Sequence, residues 1–111
     1  MGSMTAAFIA DEAETDGRYS VSEWLFEPGT RGPGAHGHGG LDHIFYVIEG
    51  TLSVFVNGAW LDAHEGTYVV VTGGTRHDFE NRGSAVTRFI NFDVPGGFES
   101  AVKTFAHPRT D

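Results

Sequence analysis

The sequence predicts an all-β domain, and more specifically a barrel or jelly roll. Sixteen glycines lie scattered between short apolar runs in a chain of 111 residues, a pattern typical of strands joined by tight turns. The apolar runs recur roughly every 8–12 residues, the spacing of strands in sandwiches and barrels. No alternation of strand and helix patterns is visible, which argues against a parallel α/β fold. One domain is expected, because the chain is too short for two cores.

Six strands are predicted from the apolar runs, over 19–27, 43–49, 52–56, 67–71, 76–81 and 86–94. Gly50-Thr51 and Asn57-Gly58 have the composition of hairpin turns. The segment 28–40 is rich in Gly and Pro, so we expect a loop there.

The C-terminal part predicts one short helix that packs onto the barrel, because four apolar residues after Pro95 recur at helical spacing: Phe98, Ala101, Val102 and Phe105. We therefore divide the chain into an N-terminal segment (1–18), a barrel domain that includes the helix (19–106) and a tail (107–111).

The charge balance excludes several partners. Seven basic and 15 acidic residues give a formal net charge of −8, which repels phosphate backbones and anionic membrane surfaces. No apolar run approaches the ~18 residues of a membrane-spanning helix, and the first residues lack the features of a signal peptide. We therefore expect a cytoplasmic protein. Cysteine is absent, so a metal site would use His, carboxylate or amide ligands.

Histidines are the candidate metal ligands. His36 and His38 are two residues apart, a spacing that puts both side chains on one side of an extended segment. His43 opens the next predicted strand, and His77 lies on a distant one. Imidazole suits Fe, Mn, Ni or Zn, so one such divalent ion per chain is expected. The alternative is that His36 and His38 are solvated loop residues; His64 and His107 are read as surface residues.

The histidine spacing resembles the two motifs of the cupins. His36-Gly37-His38, four residues, His43, six residues and Gly50 is similar to the first motif, in which Glu usually stands at the position of His43. The second motif is matched by Gly66, five residues, Thr72-Gly73-Gly74, two residues, His77, three residues and Asn81. The one difference is Thr72, which stands where the motif usually has Pro. Thr30 holds the position of the first motif's opening Gly, and Gly29 precedes it.

This resemblance covers about residues 20–100 and is closest to small single-domain cupins of the cupin 2 type. It implies a double-stranded β-helix (jelly-roll) barrel, a metal held by His36, His38, His43 and His77, and a homodimer in which exposed residues of 8–19 take part. His43 could instead be a hydrogen-bond donor outside the metal's ligands.

The exchange of Glu for His has a chemical consequence. A neutral imidazole leaves a divalent ion its full charge, which makes it a stronger Lewis acid and favours an anionic or chelating substrate such as an enolate, a catecholate or a β-diketonate. Four His around an octahedral ion leave two open positions, whereas four His around tetrahedral Zn leave none.

Strand parity predicts which residues share the cavity with the metal and contact a small organic substrate. Phe45 and Val47 follow His43 at two-residue spacing, and Phe79 follows His77. Phe89 and Asn91 are the candidates on the last strand. Each could equally be core filler. Four acidic residues are candidate general bases but are expected at the surface: Glu27, Asp42, Asp78 and Glu80.

Three functions are consistent with these residues. The first is a metal-dependent enzyme, specifically a non-haem metal dioxygenase or oxidoreductase with a four-His site. The second is a redox-neutral enzyme, such as a polyketide cyclase, an isomerase or a lyase, in which the metal stabilises an enolate. The third is a non-catalytic cupin that binds a small ligand. Iron favours the first function and zinc the second.

Overall fold

The computed structural model describes residues 3–10, 13–35 and 40–95, and the secondary structure of 107–108. These ranges contain nine strands and no helix, which confirms the all-β prediction. The strands are β1 (Met4–Ala10), β2 (Ser20–Phe26), β3 (Asp42–Glu49), β4 (Leu52–Val56), β5 (Ala59–Ala63), β6 (Tyr68–Val71), β7 (His77–Glu80), β8 (Thr87–Val94) and β9 (His107–Pro108). The predicted C-terminal helix lies outside the described residues. No helix long and apolar enough to cross a membrane occurs within those ranges.

The strands form two sheets. The larger has six strands in the order β6-β3-β8-β2-β1-β9, and the smaller has three in the order β5-β4-β7. Every pairing is antiparallel except that of β1 with β9. From β5 to β8, consecutive strands alternate between the two sheets, as in a jelly roll.

The core lies between the sheets because the long strands alternate strictly. Along β2 and β8, every second side chain is buried, which is the two-residue period of a strand with one face inward. Trp24 stacks on Phe89, with ring centroids 6.1 Å apart, and Phe26 meets Phe89 edge-on at 5.2 Å. This aromatic cluster fixes the inner face on which the candidate site lies.

The two predicted hairpin turns have different outcomes. Asn57 and Gly58 join the paired strands β4 and β5, and both have positive φ (54° and 82°), as a two-residue hairpin requires. The hairpin prediction for Gly50-Thr51 is wrong, because β3 and β4 belong to different sheets. Gly50 has φ +77°, and a Cβ there would lie 2.4 Å from the Val86 carbonyl oxygen, so this link between the sheets requires glycine.

Candidate metal centre

The structure brings His43 and His77 together. His43 extends from β3 in the larger sheet and His77 from β7 in the smaller one, and their ring centroids are 4.8 Å apart. Each side chain is only 2% exposed. His36 and His38 lie outside the described residues. The loop before them contacts the approach to β7, because Arg76 donates a hydrogen bond to the Ala35 carbonyl oxygen at 3.3 Å.

A buried carboxylate holds the His43 ring. His43 and Asp93 are register partners on β3 and β8, and Nδ1 of His43 contacts Oδ1 of Asp93. Asp93 is 0% exposed. Its other oxygen, Oδ2, accepts hydrogen bonds from Asn91 Nδ2 at 2.9 Å and from Ser20 Oγ at 3.4 Å. The buried Asp93 carboxylate therefore has three polar partners, His43, Asn91 and Ser20, all on the inner face of the larger sheet.

Hydrogen-bond chemistry assigns the same tautomer to both rings. Nδ1 of His77 lies 2.9 Å from the Thr75 carbonyl oxygen, and a carbonyl oxygen can only accept. Nδ1 of His43 faces the Asp93 carboxylate, which also accepts. Both imidazoles therefore carry their proton on Nδ1, and in the neutral ring Nε2 has the lone pair. Metal-binding histidines in proteins show this arrangement, with one nitrogen held by an acceptor and the other basic.

The described residues fit a metal, but do not complete its ligand set. Within the ranges that the structure describes, no group of three or more His, Cys, Asp or Glu side chains could hold a metal ion. Two basic Nε2 atoms on adjoining rings are the donors that the first-row divalent ions prefer. Their site would need further ligands, and the remaining predicted ones, His36 and His38, stay predictions.

The five predicted cavity residues all point inward and are buried: Phe45, Val47, Phe79, Phe89 and Asn91. The Phe45 ring is parallel to that of His43, with centroids 6.0 Å apart. It also packs against Phe79 at 5.5 Å and Phe89 at 5.6 Å. These buried rings form an apolar floor next to the histidines.

Asn91 adds one polar group to that floor. Its Nδ2 donates to Asp93, which fixes the orientation of the amide because a carboxylate only accepts. Its Oδ1 is buried and has no hydrogen-bond partner among the residues that the structure describes. A hydrogen-bond donor from a bound molecule or a water would satisfy this buried acceptor.

The sequence reasoning placed the acidic residues only in part. Glu27 and Asp42 are exposed and Glu80 is half-buried, which agrees with the surface positions expected for them. Asp78 is 6% exposed, so its predicted surface position is wrong. The chain at Gly32 passes so close that a Cβ there would lie 2.2 Å from Asp78 Oδ1, which covers the outer face of β7.

Asp93 is the site residue that the sequence reasoning missed. The signal was present, because Asp93 follows Phe89 and Asn91 at the same two-residue spacing. Had that parity been extended by one step, it would have put a carboxylate on the inner face.

Asn81, the last residue of the second motif, has a structural task. Its Nδ2 donates to the carbonyl oxygens of Phe26 (3.0 Å) and Ala85 (2.8 Å), and its Oδ1 accepts from the Gly83 amide at 3.0 Å. These bonds fix the turn between β7 and β8. His64 is exposed, as predicted.

Comparison with known families decides the assignment of this two-sheet fold. A family model described as a cupin domain, Cupin_2, matches residues 22–94. The chain belongs to the cupin family. This confirms the resemblance to small cupins of the cupin 2 type and the jelly-roll fold. The match runs from within β2 to the end of β8, and so includes both His43 and His77.

Individual relatives agree on the fold. A predicted oxalate decarboxylase from Thermotoga maritima is similar at 20% identity, with a TM-score of 0.78 over 83% of this cupin and 80% of that chain. The Cupin_2 domain of an XRE family transcriptional regulator from Enterobacter cloacae is also 20% identical. Its TM-score is 0.73 over 83% of this cupin and 96% of that chain. Identities this low show the fold alone.

One relative of higher identity is a polyketide synthase protein. The tetracenomycin polyketide synthase protein TcmJ of Streptomyces glaucescens is 40% identical over 55 residues, which are 50% of this cupin and 37% of that protein. The match thus spans little more than a third of the relative's length.

Proposed function

We propose that this cupin is a metal-dependent enzyme that acts on a small organic molecule. The ligand set would be His36, His38, His43 and His77, with one divalent transition metal per chain. The observation that carries the proposal is the pair of buried imidazoles of His43 and His77, 4.8 Å apart. Their Nδ1 atoms face acceptors, so both Nε2 atoms are basic.

The residues around the histidines suit carbonyl chemistry. A bound metal would supply a Lewis acid that polarises a carbonyl or enol oxygen. Phe45, Phe79 and Phe89 exclude water beside it, which strengthens the electrostatic interactions there. The buried Oδ1 of Asn91 has no partner among the described residues, and it would accept a hydrogen bond from a substrate hydroxyl group that reached it and so orient the substrate.

Of the two reaction classes, we favour the redox-neutral one, a cyclase, isomerase or lyase. The supporting observation is the similarity to a polyketide synthase protein, since polyketides carry β-diketone units whose enolates chelate metals. A non-haem dioxygenase or oxidoreductase remains the second candidate, because two open positions on an octahedral ion would admit both a chelating substrate and O₂. A non-catalytic cupin that binds the same ligands is the third.

Metal content is the first test. Protein purified without chelator or nickel affinity resin would be measured by inductively coupled plasma mass spectrometry, with His77→Ala beside the matched control His64→Ala. We expect about one metal per chain in the native protein and in His64→Ala, and little in His77→Ala. No metal in the native protein, even after reconstitution with Fe, Mn, Ni or Zn, would refute the proposal.

Oxygen uptake separates the reaction classes. The metal-loaded protein would be mixed with a β-diketone in an oxygen-electrode cell, and the diketone followed by mass spectrometry. A product of unchanged oxidation state without O₂ uptake supports the redox-neutral enzyme, whereas stoichiometric O₂ consumption supports the dioxygenase. Metal-dependent binding of every diketone and catechol tested, without turnover of any, would support the non-catalytic cupin.

The homodimer stays a proposal that rests on family resemblance. Size-exclusion chromatography with light scattering should give about 24 kDa, twice the 12.0 kDa chain. A mass of one chain would contradict it.

A further inference from the structure

The contact between His43 and Asp93 changes the charge expected at the site. His43 stands where the first cupin motif usually has Glu, which suggested that a bound ion keeps its full positive charge. The structure puts a carboxylate directly against the other nitrogen of that ring. The negative charge absent from the motif is therefore present one imidazole away.

We propose that Asp93 is a positioning residue that fixes His43 in its Nδ1–H tautomer and supplies, through the ring, the charge that glutamate would supply directly. This inference rests on the proposed function, since it assigns His43 to the metal ligands. A carboxylate on Nδ1 raises the basicity of Nε2 and sets the ring's orientation.

The orientation of Asp93 is set by its own neighbours. Asn91 Nδ2 and Ser20 Oγ both donate to Oδ2, so Oδ1 is the oxygen that remains for His43. A purely structural role is a weaker explanation, because β3 and β8 are already joined by their ladder over Asp42–Glu49. A buried carboxylate costs desolvation that apolar residues avoid, so we attribute the presence of Asp93 to the site.

The tautomer can be measured without any metal. In the ¹⁵N-labelled metal-free protein, long-range ¹H–¹⁵N correlation distinguishes Nδ1–H from Nε2–H. We expect His43 to be in the Nδ1–H form in the native protein and in Ser53→Ala, a control on the smaller sheet that removes a 2.8 Å hydrogen bond to Asp62. An Nε2–H form of His43 in the native protein would overturn the proposal without the need for a variant.

Asp93→Asn should disturb that form. The new amide has one acceptor in place of two oxygens, and Asn91 Nδ2 and Ser20 Oγ compete for it. If the amide oxygen turns to them, its NH₂ group faces His43 and requires an unprotonated Nδ1. We therefore expect Nε2–H to become populated and metal affinity, measured by chelator competition, to fall about 10–100-fold.

A charge exchange supplies the second variant. In the Asp93→Asn background, His43→Glu returns one carboxylate to the site as a direct ligand. The double variant His43→Glu/Asp93→Asn should therefore bind metal within about tenfold of the native protein and more tightly than Asp93→Asn alone.

Either of two results would overturn the proposal: native affinity and tautomer in Asp93→Asn, or no recovery in the double variant. If the native protein binds no metal but the tautomer results hold, the proposed function fails while the positioning of His43 by Asp93 stands.

Discussion

Substitution of Asn81 by Ala should destabilise the fold and leave the metal site intact. Sequence motifs give Asn81 and His77 equal weight, but the structure separates them. The side chain of Asn81 makes its three hydrogen bonds to main-chain groups of Phe26, Gly83 and Ala85 and none of them to a histidine.

The expected loss follows from those bonds. Each is worth about 0.5–1.5 kcal/mol net, so the three together contribute about 3 kcal/mol. For a domain of this size, 1 kcal/mol corresponds to about 4–8 °C in melting temperature. Asn81→Ala should therefore melt about 12–24 °C lower.

Thermal denaturation followed by circular dichroism is the assay, with metal stoichiometry measured on the same samples. Asn81→Asp is the matched variant: it keeps the acceptor for the Gly83 amide, but turns an oxygen toward two carbonyl oxygens, so it should be at least as unstable as Asn81→Ala. A loss below about 1 kcal/mol, or loss of metal at native stability, would refute a structural role for Asn81.

Three further substitutions test other parts of the structure. Gly50→Ala should destabilise the protein by more than the about 1–2 kcal/mol of a left-handed residue, because its Cβ would lie 2.4 Å from the Val86 carbonyl oxygen; urea denaturation would show it, and a native-like midpoint would contradict it. Phe89→Ala should lower the free energy of unfolding by about 3–5 kcal/mol, by the same measurement, unless the core collapses into the space. His43→Ala in metal-free protein leaves the Asp93 carboxylate buried without its imidazole and should destabilise by about 3–5 kcal/mol; an unchanged melting temperature would show that Asp93 gains nothing from the ring.

The strands with a clear two-residue period were predicted well from sequence. Each of the six predicted ranges overlaps an observed strand, and the bounds of β4 (Leu52–Val56) agree at both ends. β1 and β5 were missed because β1 is rich in small residues and β5 is mostly exposed, so neither shows clear alternation. The two-residue β9 was also missed. Pairing across the chain, such as β3 with β8, depends on tertiary contacts that local sequence does not encode.

The candidate site was predictable as residue types, but only partly as an arrangement. Parity correctly turned Phe45, Val47 and Phe79 inward beside the histidines. Parity also placed Asp78 on the outer face, but its expected exposure was wrong, because a loop residue, Gly32, covers it from outside the sheet. The partnership of His43 with Asp93 spans 50 residues and arises only from the register of two strands.

The placement of His43 and His77 has a mechanical consequence. β3 belongs to the larger sheet and β7 to the smaller, so any ion bound by both rings would cross-link the two sheets. Binding to the folded state alone raises its stability by mass action, and here the added stability would oppose separation of the layers. Amide hydrogen exchange in β3 and β7 should then slow together when the ion binds. Release of the ion would make separation of the two sheets easier, and exchange in both strands would become faster.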